Sequence, residues 1–456
     1  MRKRPWTGAL FLVLLFACAP KAPPHVANTD PENGARGVRL DRTYRVRFSS
    51  PIAPESLGRG AIRVRVAGVG VRFSAELAEE NRLLRLRLEE DPATLPAEVT
   101  IELTARLRDP SGRALLPYTW RFVLADWVPL DPPPNGAPPQ TEFALLGAPP
   151  TLAWTERQAG GALVARVARW ADGWEWIADP LDHQATSLQL ARDPSGTLHA
   201  AWHRLDDVKS ARWQTGSWTP AESQKANPDW TASVPVLSRK GPLALAWREY
   251  VQNPGLTVEG RAARYQNGWR AIPAPFYRGD ADLWPGGIAV QDQGVWVVYS
   301  GLEGGQPAPA RVRVWTGTAW EDRGTLEADG DPATPSYRPR LVATDDGRIL
   351  LAWLEDRRVF VAEYGARGLG LLPPVFAGEV EGFDLAAGPE PYLALDPASG
   401  PIEVRRFSRG AWQRLPGSPG EGGGYLRLAL TARDTPVVAF LRDGALWVRR
   451  LNRVAP

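Results

Sequence analysis

The chain has 456 residues, with 54 basic and 51 acidic side chains, one cysteine, four histidines and one methionine. A single cysteine leaves no pair for a disulfide or a thiolate metal site. The formal excess of +3 resides in Arg2, Lys3 and Arg4, so the rest of the chain is balanced and gives no ground for nucleic-acid binding.

In chain order, "MRKRPWTGALFLVLLFACAPKAPP" opens with that basic cluster. Leu10 to Phe16 follow as an apolar core far shorter than the ~20 residues of a spanning helix. This is an export signal, to be set apart from the fold. Its end, Leu15-Phe16-Ala17-Cys18, resembles the lipobox of bacterial lipoproteins. The resemblance implies cleavage before Cys18, acylation of its thiol and a membrane partner held through the lipid. With Ala19 next instead of Asp, it implies an exported protein carried to the outer membrane where the cell has one. Residues 19–27, "APKAPPHVA", read as a Pro-rich tether.

Residues 28–125 read as a β-sandwich. "DPENGARG" is turn chemistry, with Pro31 presetting φ and Gly34 and Gly37 admitting positive φ. That also accounts for Asp30, Glu32 and Asn33 without a calcium ion. "TYRVRFS" alternates Tyr44, Val46 and Phe48 with Arg45 and Arg47, the pattern of a half-buried antiparallel strand. About seven such strands in roughly 100 residues predict an Ig-like sandwich. "TDPENGARGVRLDRTYRVRFSSPI" and "LRDPSGRALLPYTWRF" resemble the opening and closing motifs of bacterial Ig-like domains of the S-layer (SbsA) type. The resemblance implies a spacer or adhesion module without catalytic residues.

Residues 126–456 repeat, with a period of about 40–55 residues and four short strands per unit, the signature of β-propeller blades. One large residue closes the second strand of each unit: Trp154, Trp202, Trp247, Tyr299, Trp353, Leu395 and Phe440. A second tryptophan follows a turn: Trp174, Trp218, Trp269, Trp320 and Trp412, with Leu371 near that place in the fifth unit. Repetition at one position favours packing over a lectin stripe. Seven units predict a seven-bladed propeller, all-β like the sandwich before it. The last unit supplies only three strands before Pro456, which would leave an unpaired edge. "ADWVPLD" has the form of "NGWRAIP" and "GAWQRLP", so residues 126–131 are predicted to close that blade, with Trp127 in the place of Trp174, Trp218 and Trp269.

Function is sought where long loops sit on a rigid scaffold. The third and fourth units carry the longest second-to-third-strand connections, "REYVQNPGLTVEG" and "SGLEGGQPAPA". Aromatics recur four residues before an apolar first-strand residue in three neighbouring units: Trp230 before Val234, Trp284 before Ile288 and Tyr337 before Leu341. Asp229, Asp280, Asp282, Arg338 and Arg340 accompany them. The candidate ligand-binding set is Trp230, Trp284, Tyr337, Asp280, Asp282 and Arg338, suited to a glycan or an envelope protein. The alternative is that the aromatics cap strand ends. His199 and His203 share a strand face at a separation of roughly 13 Å, too far for one metal. No phosphate loop, zincin helix or nucleophile elbow occurs, so neither cofactor nor metal nor catalytic residue is assigned. The expectation is a non-enzymatic envelope lipoprotein with a binding platform; a glycan-active hydrolase or lectin is the alternative.

Overall fold

The computed structural model describes residues 22–130 and 139–453, apart from 159, 172, 227, 240, 252–254, 293, 304–305, 329–333 and 366–367. Cys18 and the export signal lie outside the described residues. Among the described residues the structure is all-β, save one 3-10 turn at Pro54–Leu57. The chain divides into two units between Leu124 and Ala125.

The first unit has two four-stranded antiparallel sheets. One runs Val26–Asp30, Tyr44–Phe48, Leu83–Leu88, Phe73–Ala78; the other runs Val69–Gly70, Ile62–Val66, Ala97–Leu103, Tyr118–Leu124. The alternation is realised: Tyr44, Val46 and Phe48 are buried while Arg45 and Arg47 face out. They pack with Val64, Val99, Ile101, Trp120 and Phe122 in one core. The turn residues have structural partners. Asn33 Oδ1 accepts the Arg121 N–H at 2.7 Å, and Asp30 pairs with Arg42 at 2.5 Å. The sandwich starts earlier than the sequence suggests. Val26 lies opposite Phe48, and the carbonyls of Pro24 and His25 accept the N–H groups of Leu116 and Ser49. The Pro-rich stretch is thus tied down from residue 24, because its non-proline neighbours still offer a ladder to the next strand.

Among the described residues the second unit has seven antiparallel sheets in meander order, two of them with the outer edge split into two short strands. Their first strands are Pro139–Gly147, Ala185–Arg192, Thr231–Leu237, Leu283–Gln291, Tyr337–Ala343, Val380–Ala387 and Leu426–Leu430. Each of these lies beside the first strand of the following sheet, and Leu426–Leu430 lies beside Pro139–Gly147. Among the described residues the hydrophobic core is correspondingly split into seven clusters, one between each neighbouring pair of sheets, including the seventh and the first. Some backbones approach so closely that only glycine fits. A Cβ on Gly147 would stand 1.9 Å from the Leu430 carbonyl oxygen, and one on Gly287 would stand 2.6 Å from the Leu341 nitrogen.

The outer strand of the seventh sheet is Trp127–Leu130, with Trp127 opposite Leu451 and Leu130 opposite Val448. Trp127 packs with the cluster between the sixth and seventh sheets, and Leu130 with the cluster between the seventh and first. The Trp127 indole N–H donates to the Pro416 carbonyl at 3.1 Å, as Trp218 does to Ile177 at 3.0 Å and Trp320 to Ala274 at 2.8 Å. Asn452, fully buried, fastens the strand by donating to the carbonyls of Asp126 and Ala125, both at 2.8 Å.

Three sheets share a further device that the sequence carries as "AWTE", "AWRE" and "AWLE". The indole N–H of the second-strand tryptophan donates to a buried carboxylate two residues on: Trp154 to Glu156 at 3.4 Å, Trp247 to Glu249 at 2.8 Å and Trp353 to Glu355 at 2.7 Å. Residues i and i+2 face the same side of a strand, so the pair is local. Glu249 and Glu355 also accept the backbone N–H groups of Ala226 and Ala328, in the segments leading to the first strands of the third and fifth sheets.

Candidate ligand-binding site

The sequence-derived site residues lie where the first strands of the third to fifth sheets begin. The connections expected to be long loops are mostly paired. In the third sheet the ladder continues to Val251 opposite Thr257, and in the fourth to Glu303 opposite Gln306. The ladders thus extend into both connections.

The register corrects the aromatic spacing. Trp284 lies opposite Ser300 and Tyr337 opposite Leu354, each one residue beyond the large residue of its second strand. In the third sheet that place belongs to Ser233, opposite Arg248, while Trp230 precedes the strand. Val234 is not the counterpart of Ile288 and Leu341; Leu237 is. The cause is a bulge. Between Ser233 and Val236 the register shifts, and Val234 adopts φ +54°. Similar shifts occur at Thr186/Gln189, Pro285/Gly287, Tyr337/Arg340 and Val380/Gly382, with positive φ at Ser187 and Arg338. A left-handed β-branched residue is costly, and bulges re-aim side chains beside functional surfaces.

The candidates differ in how much they are occupied by other work. Trp284 is 37% exposed, and Asp280 is exposed in the turn after Tyr277–Gly279. Trp230 is half-buried. Tyr337 packs against the cluster between the fifth and sixth sheets, and its hydroxyl accepts the Arg357 N–H at 3.3 Å. Asp282 is ion-paired with Arg248, which also donates to Ser233 Oγ at 3.1 and 3.0 Å. Arg338 donates to the Glu381 carbonyl at 2.7 Å, joining the fifth sheet to the sixth. Structural contacts therefore engage Tyr337, Asp282 and Arg338, while Trp284 and Asp280 are presented to solvent. His199 and His203 serve separate partners: His199 Nε2 meets Asp193 Oδ2 at 3.2 Å, and His203 Nδ1 meets Thr186 Oγ1 at 3.2 Å.

A second constellation lies along the first strands. Opposite the residue before each large second-strand residue stand Ala144, Gln189, Val236, Gly287, Arg340, Asp384 and Arg427. These seven form one layer, with three consecutive charges in the fifth to seventh sheets. Asp384 is fully buried and accepts the Leu428 N–H at 2.7 Å. Arg239, two residues beyond the third sheet's first strand, donates to Asp384 Oδ2 and to the Leu385 carbonyl, both at 2.9 Å. Arg340 Nε stands 3.5 Å from Asp384 Oδ1. Burial alone would raise the Asp384 carboxyl, but Arg239, Arg427 and Arg340 together outweigh it and hold the group below the usual carboxylate value. Burial, reinforced by Arg427, pushes Arg340 down to about 9. The sequence signal was a residue followed by Leu or Ile in every unit, from Ala144-Leu145 to Arg427-Leu428.

The first unit's fold and the repeated sheets define an all-β protein with an Ig-like sandwich and a repeat unit. Residues 20–123 match the bacterial Ig-like domain family. No curated protein matches the sequence. Among solved structures, the chain is similar to a protein of unknown function from Dyadobacter fermentans at 12% identity, covering 59% of this chain and 95% of that one with a TM-score of 0.43. A Hadza microbial sialidase is 12% identical over 94% of this chain and 99% of its own, TM-score 0.40. The fucose-specific lectin from Aleuria aurantia is 11% identical over 60% and 96%, TM-score 0.37. At these scores the likenesses carry no argument about a ligand.

Proposed function

We propose that the second unit is a seven-bladed β-propeller closed by Trp127–Leu130, and that it binds a glycan on the face bearing Trp284. The protein is then an exported envelope lipoprotein, anchored through Cys18, with its SbsA-type Ig-like unit as spacer. The observation that carries the reading is the succession of first strands, in which the seventh adjoins the first. Such a scaffold holds loops rigidly, and an exposed indole above a bulged strand suits the apolar face of a sugar. Asp282 is paired with Arg248, while Glu249 and Glu355 accept indole N–H groups, so these carboxylates serve the fold and Asp280 is the exposed one beside Trp284's strand.

The test is a glycan-array screen with the full chain, repeated with Trp284→Ala and Trp230→Ala. Trp284→Ala should lose at least tenfold in affinity for any glycan bound, and Trp230→Ala less, since Trp230 is out of register. Absence of glycan binding, or equal binding by Trp284→Ala and wild type, overturns the reading.

A further inference from the structure

We infer that the second unit holds a small oxyanion (a carboxylate, phosphate or sulfate group) among Arg239, Arg340 and Arg427 along its first strands. The site goes beyond the aromatic face and does not depend on it. Three guanidiniums, all partly exposed, stand around one fully buried carboxylate, Asp384. Asp384 contacts Arg239 and Arg340, and the wall of the cavity that these two line with Arg427 carries no acidic residue among the described residues. Like charges brought together at a partly desolvated site repel, and an anion between them relieves that repulsion.

The guanidiniums come from different sheets and are turned toward one place by backbone carbonyls. Arg239 is held by Leu385 O, Arg340 Nη1 donates to Pro339 O at 3.1 Å, and Arg427 Nη1 donates to Leu426 O at 2.8 Å. Arg340 Nε is buried and makes no hydrogen bond. All three arginines line a cavity of about 130 Å³, together with Ser187 and Gln189. Forked N–H donors in this arrangement match the oxygens of a carboxylate or phosphate. The low value of Arg340 has the same origin, since burial and its cationic neighbours outweigh Asp384; an anion beside it would raise that value.

A larger cavity of about 490 Å³ adjoins, sharing Arg239 and Val342 and lined by Leu145, Leu146, Leu428 and Leu430. It gives a carboxylate with an apolar body somewhere to place that body. The inorganic and organic sources of the oxyanion are thereby distinguishable.

The experiment uses the purified full chain, titrated with sulfate, phosphate, acetate and hexanoate at an ionic strength fixed with sodium chloride. Thermal unfolding and calorimetry are the readouts. At least one oxyanion should raise the unfolding temperature saturably at millimolar concentration. Response to sulfate or phosphate assigns an inorganic ligand, and response to hexanoate above acetate assigns an organic carboxylate. Arg427→Gln and Arg340→Gln should each weaken that response at least tenfold. Asp384→Asn should act in the opposite sense, making stability more dependent on the added anion. A purely structural cluster would lower stability in all three variants without this difference in sign. Should Asp384→Asn fail to fold, the two arginine variants carry the test. Trp284→Ala should leave the anion response unchanged, so failure here is separable from failure of the glycan reading. No stabilisation beyond that of sodium chloride, or undiminished responses in both arginine variants, overturns the site.

Discussion

Glu355 offers a quantitative check on how the sheets are tied together. Its carboxylate is 2% exposed and accepts the Trp353 indole N–H at 2.7 Å and the Ala328 N–H at 3.0 and 3.1 Å. Hydrogen bonds to a charged acceptor contribute about 1.5–3 kcal/mol each, and an abandoned buried donor costs about 1–3 kcal/mol. Glu355→Ala strands two such donors, so its cost should be about 3–5 kcal/mol. Glu355→Gln keeps one acceptor oxygen and should cost about 1–2 kcal/mol. Trp353→Phe removes the indole donor, so in that background Glu355→Ala should cost about 1–2 kcal/mol less, a coupling read from a double-mutant cycle. Urea unfolding followed by tryptophan fluorescence gives all four stabilities. A cost below about 1 kcal/mol for Glu355→Ala, or zero coupling, would refute the claim that the Trp–Glu pair anchors the segment leading to the fifth sheet.

Further outcomes follow from other places in the structure. Gly147→Ala should destabilise the second unit by more than about 2 kcal/mol, because the added methyl meets the Leu430 carbonyl across the seventh and first sheets; urea midpoints measure it. Burial pushes the His199 imidazole below its ordinary 6.5, only partly offset by Asp193. The folded state then binds fewer protons than the unfolded state, so stability is complete above about pH 6.5 and falls as pH drops through that value. His199→Gln should flatten the decline between pH 7 and 5.5. Asp193 is a separate case: burial would raise its carboxyl, but hydrogen bonds from Ser195, His199 and Thr197 hold it low, so its contribution is lost only in a more acid range. Metabolic labelling with palmitate should mark the wild type and not Cys18→Ala; equal labelling would remove the anchor from the account.

Much of the fold was legible because burial on one face writes an alternation into every strand, as in Tyr44, Val46 and Phe48. The repeats were legible because each sheet buries the same large residue, from Trp154 to Phe440. The outer strand Trp127–Leu130 could be read because its tryptophan and leucine repeat the pattern of other outer strands. The register of Trp230 was not legible. A bulge adds a residue without altering the apolar pattern, so Val234 looked like a core residue when Leu237 held that place. The Arg340–Asp384–Arg427 layer was hidden for another reason. Its members are separated by whole repeats and meet only when the first strands stand side by side. Trp247 and Glu249 could have been paired from sequence, since residues two apart on a strand share a face.

The central claim is that the second unit is closed by a strand from its own beginning, and a disulfide tests it most directly. Pro129 and Arg449 lie opposite one another in the seventh sheet. In a Cys18→Ser background, Pro129→Cys with Arg449→Cys should oxidise to an intramolecular bridge, since facing strand positions fall within disulfide reach. The bridge would show as faster migration on a non-reducing gel, abolished by reductant, with native circular dichroism. A folded double variant that keeps both thiols free under mild oxidation would contradict the closure.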